Sequence, residues 1–390
     1  MNRLSVKNNT INIISDAIVN SLGFDTDEVL SAIMNMRSGS KSLENFTLSE
    51  PTAMLSCIDK EKFNHLIENN HQLNDLKSFT FFEQLMIYVI QNASQKIGLD
   101  PADPETLFVF SSTKGNIDLL EKQNLSPDQF ERLYIWKSVE LITQYFKNPN
   151  QAITISNACI SGTQAIIKGA EILKSTPFKH VIICGADCIS PFVVSGFQSF
   201  KALSPDICKP FDLNRTGLNI GEGAGAVVLA KNQEDHISIF SGSVTNDANH
   251  ISGPSRTGEG LYRALMQSCE DIPKDKISFI NAHGTATPYN DEMEAIAFDR
   301  FNLAEVPVNS FKANFGHTLG AAGIIETILS ARSLENEIIL PSMGFDDLGV
   351  SIPLTIPKTL IKDSKPYCIK TASGFGGCNA ALVLKKGEIV

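Results

Sequence analysis

The sequence contains no apolar run approaching the roughly 20 residues needed to cross a bilayer. Its first residues, Met1 to Thr10, are polar and lead into no signal-peptide core. A cytoplasmic location is the resulting expectation. Basic residues are outnumbered, 33 to 43, for a net charge of −10. That balance argues against general nucleic-acid binding and leaves room only for a local basic patch facing an acidic partner. The eight cysteines (57, 159, 184, 188, 208, 269, 368 and 378) form neither paired CxxC units nor a compact disulfide framework. One CxxxC, Cys184 and Cys188, has only His180 nearby. A zinc site needs about four ligands, so that pair reads as structural. No low-complexity linker interrupts the chain. What remains is an ordinary globular composition, 390 residues at 43% hydrophobic and 19% charged. Such a chain buries a large core, as two or three domains or one duplicated unit.

Strand-like runs occur at 107–110, 181–186, 225–230, 278–282 and 378–384, with helical stretches such as 81–97 and 258–269 between them. That alternation favours an α/β protein whose sheets are covered by helices. Two glycine turns run into apolar strands, "GEGAGAVVLAK" (221–231) and "GFGGCNAALVLKK" (374–386). A dinucleotide fingerprint follows a strand and opens a helix; these turns precede strands, which speaks against a Rossmann site. Upstream, "ITISNACISGTQAIIKGAEIL" (153–173) shares its layout with "VNSFKANFGHTLGAAGIIETIL" (308–329): strand, loop, reactive residue, small-residue helix. Chance likeness of glycine turns is the plain alternative. As a duplication, the pattern divides the chain into residues 1–232 and 233–390. A pseudo-twofold axis would then bring the helix entrances of Cys159 and His317 together.

Cys159 follows the β-branched run Ile153-Thr154-Ile155 and precedes Ile166, Ile167, Ala170 and Leu173 at helical spacing. At a helix entrance, unpaired N–H groups favour negative charge and lower a thiol's pKa. A free cysteine is more often a small buried hydrophobe, so reactivity requires partners. "NAHGTATPYND" (281–291) supplies His283 directly after an apolar strand, where α/β folds place chemistry. "SFKANFGHTLGAAG" (310–323) supplies Lys312 and His317. There Gly316 permits tight approach, and the small residues after it let another element pack closely.

Five ordered segments, "NACISG", "KPFDLNRTGLNIGEGAGAVVL", "NAHGTATPYNDEMEA", "KANFGHTLGAAGIIE" and "GFGGCNAAL", span about Ile153 to Leu384. Together they resemble the elongating β-ketoacyl-acyl carrier protein synthases of the thiolase superfamily. The resemblance implies a thiolase fold, α/β, with two duplicated βαβ-type halves forming a layered αβαβα core. It implies a decarboxylative Claisen condensation between a Cys159-bound acyl chain and malonyl-carrier protein, giving a 3-ketoacyl product for fatty acid, polyketide or polyene synthesis. On this resemblance His283 and His317 stabilise the enolate, Lys312 balances charge with Glu326, and the backbone N–H groups of Cys159 and Phe375 form the oxyanion hole. Phe375 corresponds to a gate, and Thr285 and Thr287 to hydroxyls holding the pantetheine arm. The implied partners are acyl carrier protein, its malonyl and acyl thioesters, and a second subunit in a homodimer or a heterodimer. No cofactor or metal is implied beyond the phosphopantetheine that the carrier brings. Chain-initiating relatives carry asparagine where His317 stands; thiolases use a second cysteine, but Cys378 occupies a position usually held by threonine and reads as a packing change.

The first 150 residues fit less well. "INIISDAIVNSLGFDTDEVLSAIMNMRSG" (11–39) keeps an opening strand, loop and helix, and segment 112–150 is shorter than in those enzymes. Basic residues for the carrier are thin, with Lys77 nearly alone and Lys201, Lys209 and Arg215 as substitutes. Two other functions stand beside the enzyme: a non-catalytic, chain-length-factor-type partner, which typically loses the cysteine or a histidine, and a Cys-His hydrolase, in which Lys312, His317 and Glu326 would be idle.

Overall fold

The computed structural model describes residues 10–44, 46, 52–233 and 236–387. All but Thr10 of the polar stretch Met1–Thr10, and two residues of the 231–236 junction, lie outside them. Ten strands form the main sheet: β1 (Ile11–Asn20), β2 (Thr106–Ser111), β3 (Ile153–Ile155), β4 (His180–Asp187), β5 (Gly223–Lys231), β6 (Ser238–Asn246), β7 (Ile277–Asn281), β8 (Val308–Asn309), β9 (Tyr367–Gly374) and β10 (Cys378–Lys385). Their order is β8-β7-β9-β10-β6-β1-β5-β4-β2-β3. Read from each edge inward, the second five strands repeat the arrangement of the first. In each half the two outer pairings are parallel and the two inner ones antiparallel. The halves join at β1 and β6, where Ile11 pairs with Ile239 and Asn12 with Ser238.

Five helices build the layers: α1 (Phe81–Gln95), α2 (Ser161–Ser175), α3 (Glu259–Cys269), α4 (Pro288–Arg300) and α5 (Ala322–Glu335). The period-two alternation of the strands decides what each face meets. Ile183, Val227, Leu229, Leu382 and Leu384 pack with Ile166 and Leu173 of α2 and Ile324 and Ile328 of α5 in one core. Their neighbours Ile182 and Val228 face the other way, onto Met86 and Val89 of α1. Ala381 and Val383 do the same onto Leu261 of α3 and Phe298 of α4. Strands apolar on both faces are the signature of a sheet covered on both sides. The result is the thiolase fold, with α2 and α5 as the middle layer.

The two central helices come close because of their glycines. A Cβ on Gly162 would lie 2.8 Å from the Gly320 carbonyl, and one on Gly323 would lie 2.2 Å from the Thr163 nitrogen. These neighbours are backbone atoms and do not yield. α5 is buried on nearly every side, which accounts for its lack of a polar stripe.

Every strand expected from sequence is present within a residue or two of its bounds, and the helices expected at 81–97 and 258–269 are α1 and α3. Strand β1 and the helix Thr26–Met34 give the opening strand, loop and helix. Segment 112–150 holds two short helices, Pro127–Glu131 and Ile135–Tyr145, and exposes Phe130, Tyr134 and Trp136. It is anchored by Asn116, which donates to Glu83 and to Ser138 in the interior.

Candidate active site

Cys159 sits in a turn between β3 and α2. The residue before it, Ala158, has φ +44°, in the left-handed region that costs a non-glycine residue energy. The turn is held by the Ser161 hydroxyl, which donates to the Ala158 carbonyl (2.6 Å) and accepts from the Asn157 N–H (2.8 Å). This aims the cysteine toward the cavity floor, where it is 8% exposed.

His283 leaves the end of β7. The Glu294 carboxylate on α4 accepts the N–H groups of His283 (2.8 Å) and Gly284 (2.7 Å), pinning the loop from one side. Gly284 has φ +42° and crowds Ser310, so a side chain there would be strained. On the same helix Asp291 accepts from the N–H groups of Phe211 (2.7 Å) and Ala286 (3.2 Å).

His317 follows Gly316, whose φ of +71° makes the sharp turn before it. Its N–H donates to the Asn219 carbonyl (2.7 Å) and its carbonyl accepts from Gly221 (3.0 Å), locking the loop to the first half of the chain. A second lock is Asp187 at the end of β4. It accepts from the Ser112 hydroxyl (2.8 Å) and the Gly320 N–H (2.6 Å). The Leu319 N–H donates to Nδ1 of His317 (3.3 Å), so the neutral ring carries its proton on Nε2. That Nε2 is buried and has no hydrogen-bond partner among the described residues.

The Cys159 sulfur and one ring nitrogen each of His283 and His317 all lie within 4.8 Å of one another. They line a cavity of about 410 Å³ whose wall also includes Thr285, Thr287, Phe375 and Leu218. The hydroxyls of Thr285 and Thr287 are 3.0 Å apart. Phe375 stacks on Phe197 (centroids 5.7 Å) and meets Phe200 edge-on (5.3 Å), closing an aromatic side of the cavity. The glycine turn carrying Phe375 brushes the backbone of Cys159, since a Cβ on Gly374 would lie 3.0 Å from the Cys159 nitrogen.

Beneath the histidines is an ion network with no exposed member. Lys312 pairs with one oxygen of Glu326, and Lys370 pairs with the other at 2.7 Å. Burial, then the positive charges of Lys312 and Lys370, hold His317 well below the usual histidine range; His283 is lowered likewise, with His317 adding to the effect. Both imidazoles are therefore neutral at physiological pH. Cys159 differs from the sequence expectation. Burial, with Cys378 adding to it, pushes its thiol up to about 12, outweighing its place at a helix entrance. The resting sulfur is a thiol, and a neutral imidazole lies within 4.8 Å of it. A sulfur and two imidazoles could also ligate a soft metal ion, although three donors fall short of the usual four.

Cys378 is buried and its S–H lies 3.3 Å from the Phe375 carbonyl. Of the basic substitutes, Lys201 lines the cavity mouth. Arg215 turns inward to the carbonyls of Asp212 (2.9 Å) and Gly349 (2.5 Å), and Lys209 pairs with Asp346 (3.6 Å). Sequence reasoning assigned nothing to Glu294, Asp187 or Lys370. Glu294 lies inside a quoted motif, and Lys370 interrupts the apolar strand "YCIKTASG", which was a signal in itself.

A thiol and two neutral histidines meet at one point of a thiolase fold. The chain matches "Beta-ketoacyl synthase, N-terminal domain" over residues 8–235 and "Beta-ketoacyl synthase, C-terminal domain" over residues 237–346. It belongs to the β-ketoacyl synthase family, acyltransferases of the condensing type. Among similar proteins, a putative mitochondrial 3-oxoacyl-[acyl-carrier-protein] synthase of Schizosaccharomyces pombe is 28% identical, over 90% of this chain and 92% of that one. 3-Oxoacyl-[acyl-carrier-protein] synthase 2 of Vibrio harveyi is 33% identical, over 63% of this chain and 64% of its own length. Among solved structures, the ishigamide ketosynthase/chain length factor superposes with a TM-score of 0.87 at 24% identity, covering 97% of this chain and 99% of that one. No helix among the described residues is long and apolar enough to cross a membrane.

Proposed function

We propose that the chain is an active β-ketoacyl-acyl carrier protein synthase working in two steps. In the first, the Cys159 sulfur attacks an acyl thioester carried on phosphopantetheine. The new C–S bond forms as the carrier thiol leaves, and His283 relays the proton from Cys159 to it, since Nε2 of His317 already carries a proton. The N–H groups of Cys159 and Phe375 stabilise the tetrahedral oxyanion. In the second, a malonyl thioester binds along Thr285 and Thr287. Its carboxylate leaves as carbon dioxide, and the electron pair moves into an enolate whose oxygen accepts hydrogen bonds from His283 and His317. The enolate carbon then attacks the Cys159-bound acyl group, forming the C–C bond and releasing the thiolate. Lys312, paired with Glu326, keeps positive charge beneath the histidines.

The observation carrying this reading is the cluster of Cys159, His283 and His317 within 4.8 Å, with Nε2 of His317 unpartnered at the cavity. An unsatisfied buried donor is costly unless a ligand takes it up. Residues 1–232 would supply the nucleophile and residues 233–390 the two histidines. The partner would be an acyl carrier protein, with no cofactor beyond its pantetheine, and the location the cytoplasm. Assembly would be a dimer, with itself or with a related ketosynthase-like subunit, through the edge strand β3. Retention of the thiol and both histidines favours the enzyme over a chain-length-factor-type partner. Intact mass of the protein after incubation with a panel of acyl-carrier proteins tests the reading: an acyl adduct supports it, and no adduct from any carrier refutes it.

A further inference from the structure

Lys370 is a charged residue in an otherwise apolar strand, and its side chain is fully buried. Its ammonium faces four oxygens: the carbonyls of Thr371 (2.6 Å), Ala282 (3.2 Å) and Asn281 (3.4 Å), and a carboxylate oxygen of Glu326 (2.7 Å). All four are acceptors, which together with the charge of Glu326 favours the ammonium form against the burial that lowers its pKa. Removing a lysine from water is expensive, and a core of this size has no need of one for packing. The oxygens it gathers are not scattered. Asn281 and Ala282 are the two residues immediately before His283, and Glu326 is the partner of Lys312.

The next residue along β9 completes the arrangement. The Thr371 hydroxyl donates to Glu294 (3.0 Å), the carboxylate that takes the N–H groups of His283 and Gly284. The dipeptide Lys370-Thr371 thus grips the His283 loop twice, by its carbonyls through the ammonium and by its amides through Glu294. We propose that Lys370 is a positioning residue for the decarboxylation half-reaction, a tethered cation that clamps the backbone bearing His283 and joins it, through Glu326, to Lys312. It touches no reacting atom. This inference rests on the condensing reading above and deepens it.

The charged and titratable groups surrounding this point are Lys312, Glu326, Glu294, His283 and His317. The charge of Lys370 is one of those that lower both histidines, after burial. Removing it raises their pKa values. Protonated His317 can no longer accept the Leu319 N–H at Nδ1, so decarboxylation should fail on the acid side, and the acid limb of its pH profile should move to higher pH.

The test is Lys370→Met, which keeps length and removes charge. Folding is checked by circular dichroism, acyl loading on Cys159 by intact mass, and decarboxylation by carbon dioxide released from malonyl-carrier protein across pH. A displaced catalytic group costs about 10²-fold. Decarboxylation should fall by that order, loading should fall much less, and the acid limb should move up in pH. A second variant, Lys370→Ala, is assayed with and without methylammonium, a free cation able to occupy the vacated oxygen cage. Recovery of decarboxylation with methylammonium supports the clamp. Equal loss of loading and decarboxylation with an unmoved acid limb overturns it, as does decarboxylation at the wild-type level. Failure of both variants to fold, with or without methylammonium, also overturns it in favour of a purely structural lysine. If the wild-type protein neither loads nor decarboxylates, the condensing reading itself falls, whatever the variants do.

Discussion

The rings of His283 and His317 meet edge to face, with centroids 5.0 Å apart and planes at 83°. The two histidines lie 34 residues apart in the chain and reach this contact from different loops. Neither ring can shift far, because each loop is tied by its own backbone hydrogen bonds. The Nε2–H of His317, with the neutral ring of His283 beside it, suits an oxygen that becomes negative during reaction.

Acyl loading should depend on Cys159 alone among the eight cysteines. Cys159→Ala should give no acyl adduct by intact mass, while keeping some decarboxylation of malonyl-carrier protein. An adduct persisting on Cys378 or Cys208 would remove Cys159 from the nucleophile's role.

His317→Ala should still load, because its loss leaves the thiol and the oxyanion N–H groups in place. Loss of one donor to a developing oxyanion typically costs about 10²–10³ in rate. Carbon dioxide release should fall by that factor, measured in the same preparation that shows the acyl mass. A free acid as product, with malonate irrelevant, would instead mark a hydrolase.

Gly323→Ala should destabilise the fold and weaken condensation together. The added Cβ meets the backbone nitrogen of Thr163 at 2.2 Å, so α2 and α5 must separate, and with them the elements carrying Cys159 and His317. Overpacking of this kind costs about 1–3 kcal/mol. Chemical unfolding measures the first effect; an unchanged midpoint contradicts the packing argument.

Asp291 gives a pH dependence with a definite sign. Burial, opposed by its bond from the Phe211 N–H and reinforced by Glu294, raises its pKa to about 7. A carboxyl whose folded pKa exceeds its unfolded value binds more protons when folded, so its contribution to stability is lost as pH rises through the folded pKa. The buried histidines act the other way, which makes a difference measurement necessary. The stability of wild type relative to Asp291→Asn should shrink between about pH 5 and about pH 7.5 by urea unfolding. A constant difference would return Asp291 to the ordinary carboxylate range.

Among the described residues, strand β3 is bonded on one side only, to β2, and closes one end of the main sheet. An unpaired edge is a template for another strand. Light scattering should give a dimer for this chain alone or with a ketosynthase-like partner, and a stable, active monomer would refute that expectation.

Local order was legible because it follows from local rules. Strands such as Ala226–Ala230 are apolar on consecutive residues, glycines mark the turns, and Ile166, Ile167, Ala170 and Leu173 recur at helical spacing. The site motifs were legible only as a group, since a thiol, two histidines and a lysine each stand in a glycine-rich strand-end loop and together resemble one family. Lys370 and Glu294 were harder to place: their partners are backbone groups of other segments, and no spacing along the chain encodes those contacts. The state of Cys159 was misjudged because helix entry acts locally while desolvation depends on everything packed around it.

By itself, then, the sequence determined the elements, their doubled layout and the motifs that carry Cys159, His283 and His317. Only the tertiary structure decided that the thiol and the two imidazoles share one point, that two lysines and a glutamate lie beneath them, and that all are buried. The physical reason is that distance and dielectric are collective properties. Gly162 and Gly323 set the first by letting two helices touch, and the surrounding layers set the second by excluding water.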